Sequence, residues 1–207
     1  MRDMIALGWT DHETSLPPGI VLVNAGVLKV LCTSEENADT HRRKLLQQVS
    51  CFESGVDFVP VAAEHSAHIE TAINQANSTD LYTTLCRIKA HGQLTITCDL
   101  PKPEPANQTG KHWLRARRAR NDKVTQQSRI LRDLSDTLRY PATAVRHENG
   151  ASVCDLLVHR NDRERACARI ADYLGKRIGL QDTVVTVTGL WPPFGFAQDA
   201  PREAVAP

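Results

Sequence analysis

The sequence predicts an α+β protein, and three stretches carry that prediction. Residues 93–100 alternate between apolar and polar side chains, which is typical of a half-buried strand. Residues 184–188 form a run of valine and threonine, whose β-branched side chains suit the pleated surface of a sheet. Between them, Val124, Leu131 and Leu138 recur at seven-residue spacing, which predicts a long helix with a coiled-coil-like seam.

The composition is that of an ordinary globular protein. Of the 207 residues, 41% are apolar and 24% are charged, and the net charge of +1 gives no global field that favours nucleic acid or a membrane. No apolar run approaches the roughly 20 residues that span a bilayer, and the N-terminus does not have the pattern of a secretory signal. We therefore expect a cytosolic chain in which the six cysteines are small buried hydrophobes.

The first part of the chain predicts a small α+β domain over residues 1–101, before a proline-containing linker that ends at Gly110. Its strands precede and follow a helical region. The expected early strands are residues 4–9, 20–23 and 27–31, and the last two are expected to form a hairpin.

A helix is expected over residues 37–50 of this domain. Asn37 or Asp39 is the candidate N-cap, because both side chains can accept hydrogen bonds from the free amides of a first turn. The apolar face of this helix is assigned to the following residues: Leu45, Leu46 and Val49.

Two patterns of residues allow a chemical interpretation, but each also has a purely structural one. His65 and His68 lie three residues apart and could chelate a metal on one helix face, although such a pair is more often two surface histidines at a helix start. Cys98 beside Asp99, with His91 nearby, could be a nucleophile site, although a strand cysteine is more often part of a core. The sequence has no nucleophile elbow, phosphate loop or dinucleotide fingerprint, so we expect no catalytic, cofactor-binding or metal site.

The first half of the long helix is basic. Its cations outnumber its one acid, Asp122: Lys111, Arg115, Arg117, Arg118, Arg120 and Lys123. This allows a nucleic-acid-binding interpretation of residues 111–123, but only Trp113 offers aromatic support and no recognised nucleic-acid motif surrounds it. The alternatives are a solvated face and a contact for an acidic protein surface.

An aromatic segment, residues 191–196 with the sequence W-P-P-F-G-F, follows the last strand. Its two prolines remove amide donors and favour a stiff, extended backbone, so the strand is expected to stop and the rings to stand on a rod. Rings on a stiff backbone lose little entropy when they dock, which makes them candidates for a partner contact. Alternatively, the rings fold back and cap the core of their own domain.

This ending resembles the C-terminal signature of the gas vesicle GvpL/GvpF family, usually read as T-G-P-W-P-P-Y-S-F. Six positions match: Thr188, Gly189, Trp191, Pro192, Pro193 and Phe196. Three positions differ: Leu190, Phe194 and Gly195. Weaker matches lie upstream, where Trp113, Leu114 and Arg117 or Arg118 are similar to the family's G-x-x-Y-L-x-x-R segment.

The resemblance implies a ferredoxin-like α+β domain at residues 1–101, and a C-terminal α+β domain at residues 110–197 that holds the long coiled-coil-like helix and a strand–helix–strand unit. A flexible tail is expected at residues 198–207. The implied role is that of a non-enzymatic accessory protein, cytoplasmic and associated with gas vesicles. It would bind the small hydrophobic shell protein GvpA and other accessory proteins, and assist nucleation or assembly of the vesicle wall.

The expected partner-binding residues are Trp191, Pro192, Pro193, Phe194, Phe196, Arg117 and Arg118. No nucleic acid, membrane or small-molecule substrate is expected under this interpretation. Nucleic-acid binding through the basic helix remains the alternative.

Overall fold

A computed structural model of the chain describes residues 4–11, 15–38, 40–61, 68–100, 110–177, 180 and 183–197. The predicted tail, and the predicted linker before Gly110, lie outside these described residues. Contacts divide the chain into two compact units, one of residues 4–93 with 191–197 and one of residues 94–190. The aromatic segment therefore falls in the first unit, whereas the sequence analysis grouped it with a C-terminal domain at residues 110–197.

The α+β class is confirmed, with two four-stranded sheets and a long helix. In chain order the elements are β1 (Met4–Thr10), β2 (Ile20–Ala25), β3 (Leu28–Ser34), α1 (Glu35–Ala38), α2 (His41–Glu53), β4 (Val59–Pro60), α3 (Ile69–Gln75), α4 (Ser78–Ile88), β5 (His91–Asp99), α5 (Gly110–Leu138), β6 (Arg146–Glu148), β7 (Ala151–His159), α6 (Arg163–Gly175), β8 (Val185–Trp191) and α7 (Phe194–Ala197). The predicted strand–helix–strand unit is β7, α6 and β8.

The sheet of the first unit has the strand order β2-β3-β1-β4. β2 and β3 form the predicted antiparallel hairpin, and β1 pairs antiparallel with both β3 and β4. Gly8 of β1 lies opposite Pro60 of β4, and a Cβ at Gly8 would come within 2.4 Å of the Phe58 ring. The close approach of the edge strand therefore requires glycine at this position.

α2 buries a different face from the one that the sequence predicted. Its buried residues are Lys44, Gln48, Cys51 and Phe52, whereas Leu46 is 58% exposed. The Gln48 side-chain Nε2 donates to the backbone oxygens of Leu7 at 2.7 Å and Val61 at 2.9 Å. Leu46 is therefore wrongly assigned to the core face, and Leu45 and Val49 are only half-buried. Gln48 can take a fully buried position because its amide satisfies two backbone carbonyl groups.

The N-cap of α2 also differs from the prediction. Thr40 is the N-cap, and its side chain accepts a hydrogen bond from the Arg43 amide at 3.2 Å. Asn37 instead lies inside the short helix α1, and Asp39 lies outside the described residues. A threonine hydroxyl satisfies a first-turn amide as a carboxylate or amide oxygen would.

The sheet of the second unit has the strand order β6-β7-β5-β8, and α5 and α6 pack against β7. Its core draws on four elements: Leu94, Ile96 and Cys98 of β5, Leu131, Leu134 and Leu138 of α5, Cys154, Leu156 and Val158 of β7, and Ala166, Ile170, Tyr173 and Leu174 of α6. The alternation in β5 and the apolar seam of α5 are confirmed.

Two buried polar side chains of this core have their hydrogen bonds satisfied. Gln127, which interrupts the seam, donates to the Asp99 backbone oxygen at 3.0 Å and accepts from the Ser152 hydroxyl at 2.8 Å. The Asp155 carboxylate accepts from Arg146 at 2.5 Å and from the Thr95 hydroxyl at 2.7 Å. Both groups can be buried because each is paired.

Two short connections flank β7. After it, Asn161 lies in a 3₁₀ turn (Arg160–Asp162), and its backbone amide donates to the His159 ring at 3.3 Å. Before it, residues 146–148 form β6. Asn149 and Gly150, both with positive φ, make the two-residue connection to β7.

Candidate protein-binding site

The aromatic segment begins at the last residue of β8. This strand passes through Gly189 and ends at Trp191, directly before the two prolines that were expected to stop it. α7 then forms in place of the predicted extended rod. The amides of Phe194 and Phe196 donate to the oxygens of Pro192 at 2.7 Å and Pro193 at 3.1 Å, so the prolines supply acceptors that close a helical turn.

Two side chains of the first unit hold this turn in place. The Arg87 guanidinium donates to the backbone oxygen of Phe196 at 2.7 Å, and the Gln93 side-chain oxygen accepts from the Gly195 amide at 2.8 Å. α7 also contacts α4 and β4. A helix of one turn cannot be stable by itself, so these contacts determine its conformation.

Burial divides the segment into two parts. Phe196 is only 3% exposed, and Pro192 and Pro193 are buried, but they pack in the first unit and not in the C-terminal domain whose core the alternative expected them to cap. Trp191 is 41% exposed, and Phe194 is intermediate. The surface that this segment offers to a partner is therefore Trp191 with part of Phe194.

The other predicted contact residues, Arg117 and Arg118, lie in the first half of α5 in the second unit and are both exposed. The Arg117 guanidinium lies over the Trp113 ring, 5.2 Å from its centroid. Trp113 is 46% exposed and Leu114 is 59% exposed, so apolar surface accompanies the cations. Aromatic and arginine side chains are enriched in protein interfaces, so this half of α5 is a candidate contact.

The residues singled out for chemistry do not form a reactive site in the described chain. Cys98 is fully buried, and burial raises the pKa of its thiol to about 11, with a smaller contribution from the Asp99 charge. His68 precedes α3 without capping it by its side chain, and His65 lies outside the described residues. Among the described residues, no cluster of three histidine, cysteine or acidic side chains could hold a metal ion.

The structure brings together one polar cluster that the sequence analysis missed. The ring nitrogens of His147 lie 3.2 Å from the hydroxyls of Ser152 and Ser128. Ser152 is fully buried and donates to Gln127, and Ser128 donates to the Val124 backbone oxygen at 2.8 Å. The cluster therefore links β6, β7 and α5 by hydrogen bonds. A substrate could not reach Ser152, because this residue is fully buried.

A cleft of about 470 Å³ lies in the second unit near the ends of α5 and α6. Its lining residues are Thr137, Leu138, Arg169, Asp172, Tyr173, Lys176 and Arg177. Lys176 bonds Asp172 at 2.7 Å, and Arg177 stacks on the Tyr173 ring at 4.3 Å. These polar groups contact one another and do not converge on one point in the cleft where a ligand could react.

Fold and surface define a two-unit α+β protein that presents exposed aromatic and basic side chains. None of the described helices has the length and apolar run needed to cross a membrane. No protein-family model matches the sequence. No curated protein matches it either.

Two solved structures share the fold of nearly the whole chain, and both are gas vesicle proteins. GvpF from Anabaena sp. PCC7120 superposes with a TM-score of 0.68 over 95% of this chain and 96% of that chain, at 8% sequence identity. GvpF from Microcystis aeruginosa superposes with a TM-score of 0.68 over 96% of this chain and 100% of that chain, at 10% identity. The chain therefore has the fold of GvpF, and the fold that the GvpL/GvpF resemblance implied is confirmed.

Proposed function

We propose that this protein is an accessory protein of gas vesicle formation that binds the hydrophobic shell protein GvpA and assists nucleation or assembly of the vesicle wall. It acts in the cytoplasm and at the gas vesicle, together with other accessory proteins, and it makes and breaks no covalent bond. One observation carries the proposal: the fold of two GvpF proteins extends over 95% of this chain, and the W-P-P signature lies within that fold.

A physical argument supports this role. Before assembly, the apolar face of a shell protein is exposed to water, which is unfavourable and promotes aggregation. A soluble partner that covers this face prevents premature aggregation. The partner needs exposed apolar or aromatic groups on a rigid support, because a preformed surface loses little entropy on binding. Trp191 meets both requirements, because its side chain is 41% exposed and it directly precedes a turn that hydrogen bonds to Arg87 and Gln93 hold in place.

The proposed contact residues of each unit have different tasks. Trp191 and the accessible part of Phe194 make the apolar contact, while the buried Pro192, Pro193 and Phe196 hold the turn beneath them. Arg117 and Arg118 supply charge on the second unit.

Affinity capture with the purified full-length chain as bait tests the proposal. We expect the wild-type chain to retain co-expressed shell protein and Trp191→Ala to retain at least fivefold less. Tyr82→Ala is the matched control, because Tyr82 is another exposed aromatic of the first unit, 49% exposed on α4, and its variant should capture as the wild type does. If the wild-type chain retained no shell protein, the proposed function would be wrong. If Trp191→Ala captured as much shell protein as the wild type, Trp191 would not be part of the contact.

A further inference from the structure

The core-facing side of α5 continues beyond the core of its own unit. Leu131 is fully buried, and Trp113 lies eighteen residues before it, which is five turns at about 3.6 residues per turn. Both side chains therefore point to the same side of a straight helix, about 27 Å apart along its axis. Arg117, Arg120 and Val124 fall between them on this side, within roughly 40° of Leu131 by the same spacing.

This upstream face, residues Trp113, Ala116, Arg117, Arg120 and Val124, changes from buried to accessible along the helix. Leu131 and Leu134 are fully buried, Val124 and Arg120 are intermediate, and Trp113 is 46% exposed. The helix thus extends its apolar seam past the part that its own sheet covers.

The charge of this half-helix is one-sided. Between Gly110 and Val124 there are six lysine or arginine residues and one acidic residue, Asp122. Several cations stand three or four residues apart, as Lys111 and Arg115 do, and like charges at this spacing repel one another on a helix. An acidic partner would relieve this repulsion, so the charge pattern determines the chemistry of the partner.

We propose that the upstream face binds an amphipathic helix of another protein, with an apolar seam flanked by glutamate or aspartate. The partner's apolar residues pack against Trp113, Ala116 and Val124, which continues the seam as in a short coiled coil. Its carboxylates pair with Arg117, Arg120 and their neighbours. The inference rests on the proposed function only in that the protein acts by holding a partner protein.

The position of the tryptophan favours a protein helix over a nucleic acid. A phosphate backbone would engage cations wherever they lie on the half-helix, including Arg115 and Arg118 on the opposite side. An amphipathic helix would engage Trp113, Arg117 and Arg120 together and leave the opposite side in solvent.

Binding to a synthetic peptide tests this proposal without the shell protein. The probe is a fluorescein-labelled peptide of three heptads with leucine at the seam positions and glutamate beside them, and its anisotropy is measured with the full-length chain. Two double variants carry the same change of charge on the two sides of the half-helix: Arg117→Glu with Arg120→Glu, and, on the opposite side, Lys111→Glu with Arg115→Glu. Trp113→Ala tests the apolar contact, and circular dichroism verifies that each variant keeps its helix content.

We expect one peptide to bind per chain, and binding to weaken at least tenfold in the Arg117/Arg120 variant and at least fivefold in Trp113→Ala. The Lys111/Arg115 variant should lose no more than about threefold, through long-range electrostatics alone. Equal losses in the two double variants, or tighter binding to a 20-nucleotide single-stranded DNA than to the peptide, would overturn the proposal. So would a dimer of the chain itself that Trp113→Ala dissociates, because the occupant of the face would then be a second copy. Absence of peptide binding with intact capture of the shell protein would refute this inference and leave the proposed function standing.

Discussion

Arg87 donates a hydrogen bond from its guanidinium to the backbone oxygen of Phe196, 2.7 Å away and 109 positions later in the sequence. This bond fixes the end of α7 against α4. Together with the bond from the Gly195 amide to Gln93, it holds a segment in which Phe196 is buried and Trp191 is exposed. The aromatic segment therefore contributes in part to the packing of the first unit, and Trp191 is its most exposed ring.

Replacing Phe196 by alanine should destabilise the first unit far more than replacing Trp191. Phe196 is 3% exposed, and removing a buried phenylalanine ring costs about 3–5 kcal/mol through lost burial and a cavity. Trp191 is 41% exposed, so Trp191→Ala should cost less than about 1.5 kcal/mol. Urea denaturation of both variants, followed by circular dichroism, measures the difference. Equal midpoints for the two variants would contradict the division of the segment into a core ring and a surface ring.

Arg87→Met should loosen α7 locally while leaving the sheet intact. The variant keeps the length of the side chain but removes the donor to the Phe196 oxygen, and a part-buried hydrogen bond from a charged donor contributes about 1.5 kcal/mol. Amide exchange of Phe196 and Ala197, which both donate to Pro193, should accelerate about tenfold. Arg129→Met, an exposed arginine on α5, is the control and should leave that exchange unchanged. Unchanged exchange in Arg87→Met would show that the bond does not hold the turn.

The six thiols should react in two groups. Four are buried, with pKa values that burial raises to about 12 or about 11: Cys32, Cys51, Cys98 and Cys154. Cys86 is exposed and Cys167 is intermediate. At pH 8 in native buffer, a disulfide reagent should titrate Cys86 quickly and Cys167 more slowly, because the buried thiols are protonated and inaccessible. All six thiols should react in denaturant. Rapid reaction of more than two thiols in the native protein would contradict the burial of the other four.

Lys44 should make stability depend on pH in the alkaline range. Burial lowers the pKa of Lys44 from 10.5 to about 8, so between these values the unfolded chain binds more protons than the folded one. The cost of burying the charge is therefore fully present below about pH 8 and disappears as the pH rises towards 10.5. Lys44→Met lacks this cost at every pH.

The measurement is the difference in unfolding free energy between Lys44→Met and the wild type at several pH values from 7 to about 10. We expect this difference to shift in favour of the wild type as the pH rises. The comparison is needed because the buried thiols, whose pKa values are raised, make folding less favourable above about pH 9 in both proteins. A difference that stays constant with pH would contradict a buried, charge-bearing Lys44.

The sequence predicted those elements whose apolar residues repeat at regular intervals. Leu94, Ile96 and Cys98 alternate along β5 and all three are fully buried, and the long helix ends at Leu138 as its seam predicted. In each case the burial of side chains determines the structure, and side-chain hydrophobicity can be read directly from the sequence.

The predictions failed where polar contacts determine the structure. The face of α2 depends on Gln48, whose amide reaches Leu7 and Val61 from 41 and 13 positions away. A pattern that counts apolar residues assigns such a side chain to solvent. The same reason applies to the aromatic segment, because the Arg87 and Gln93 bonds that shape it join residues more than 100 positions apart.

Deletion of the gene from the organism that carries it, followed by buoyancy measurement and electron microscopy of the cells, tests whether this protein is needed for gas vesicle formation. We expect the deletion strain to form no gas vesicles or far fewer of them. A wild-type copy of the gene should restore them, while a Trp191→Ala copy should restore them poorly. Normal numbers of intact vesicles in the deletion strain, or a host that encodes no shell protein, would contradict the proposed function.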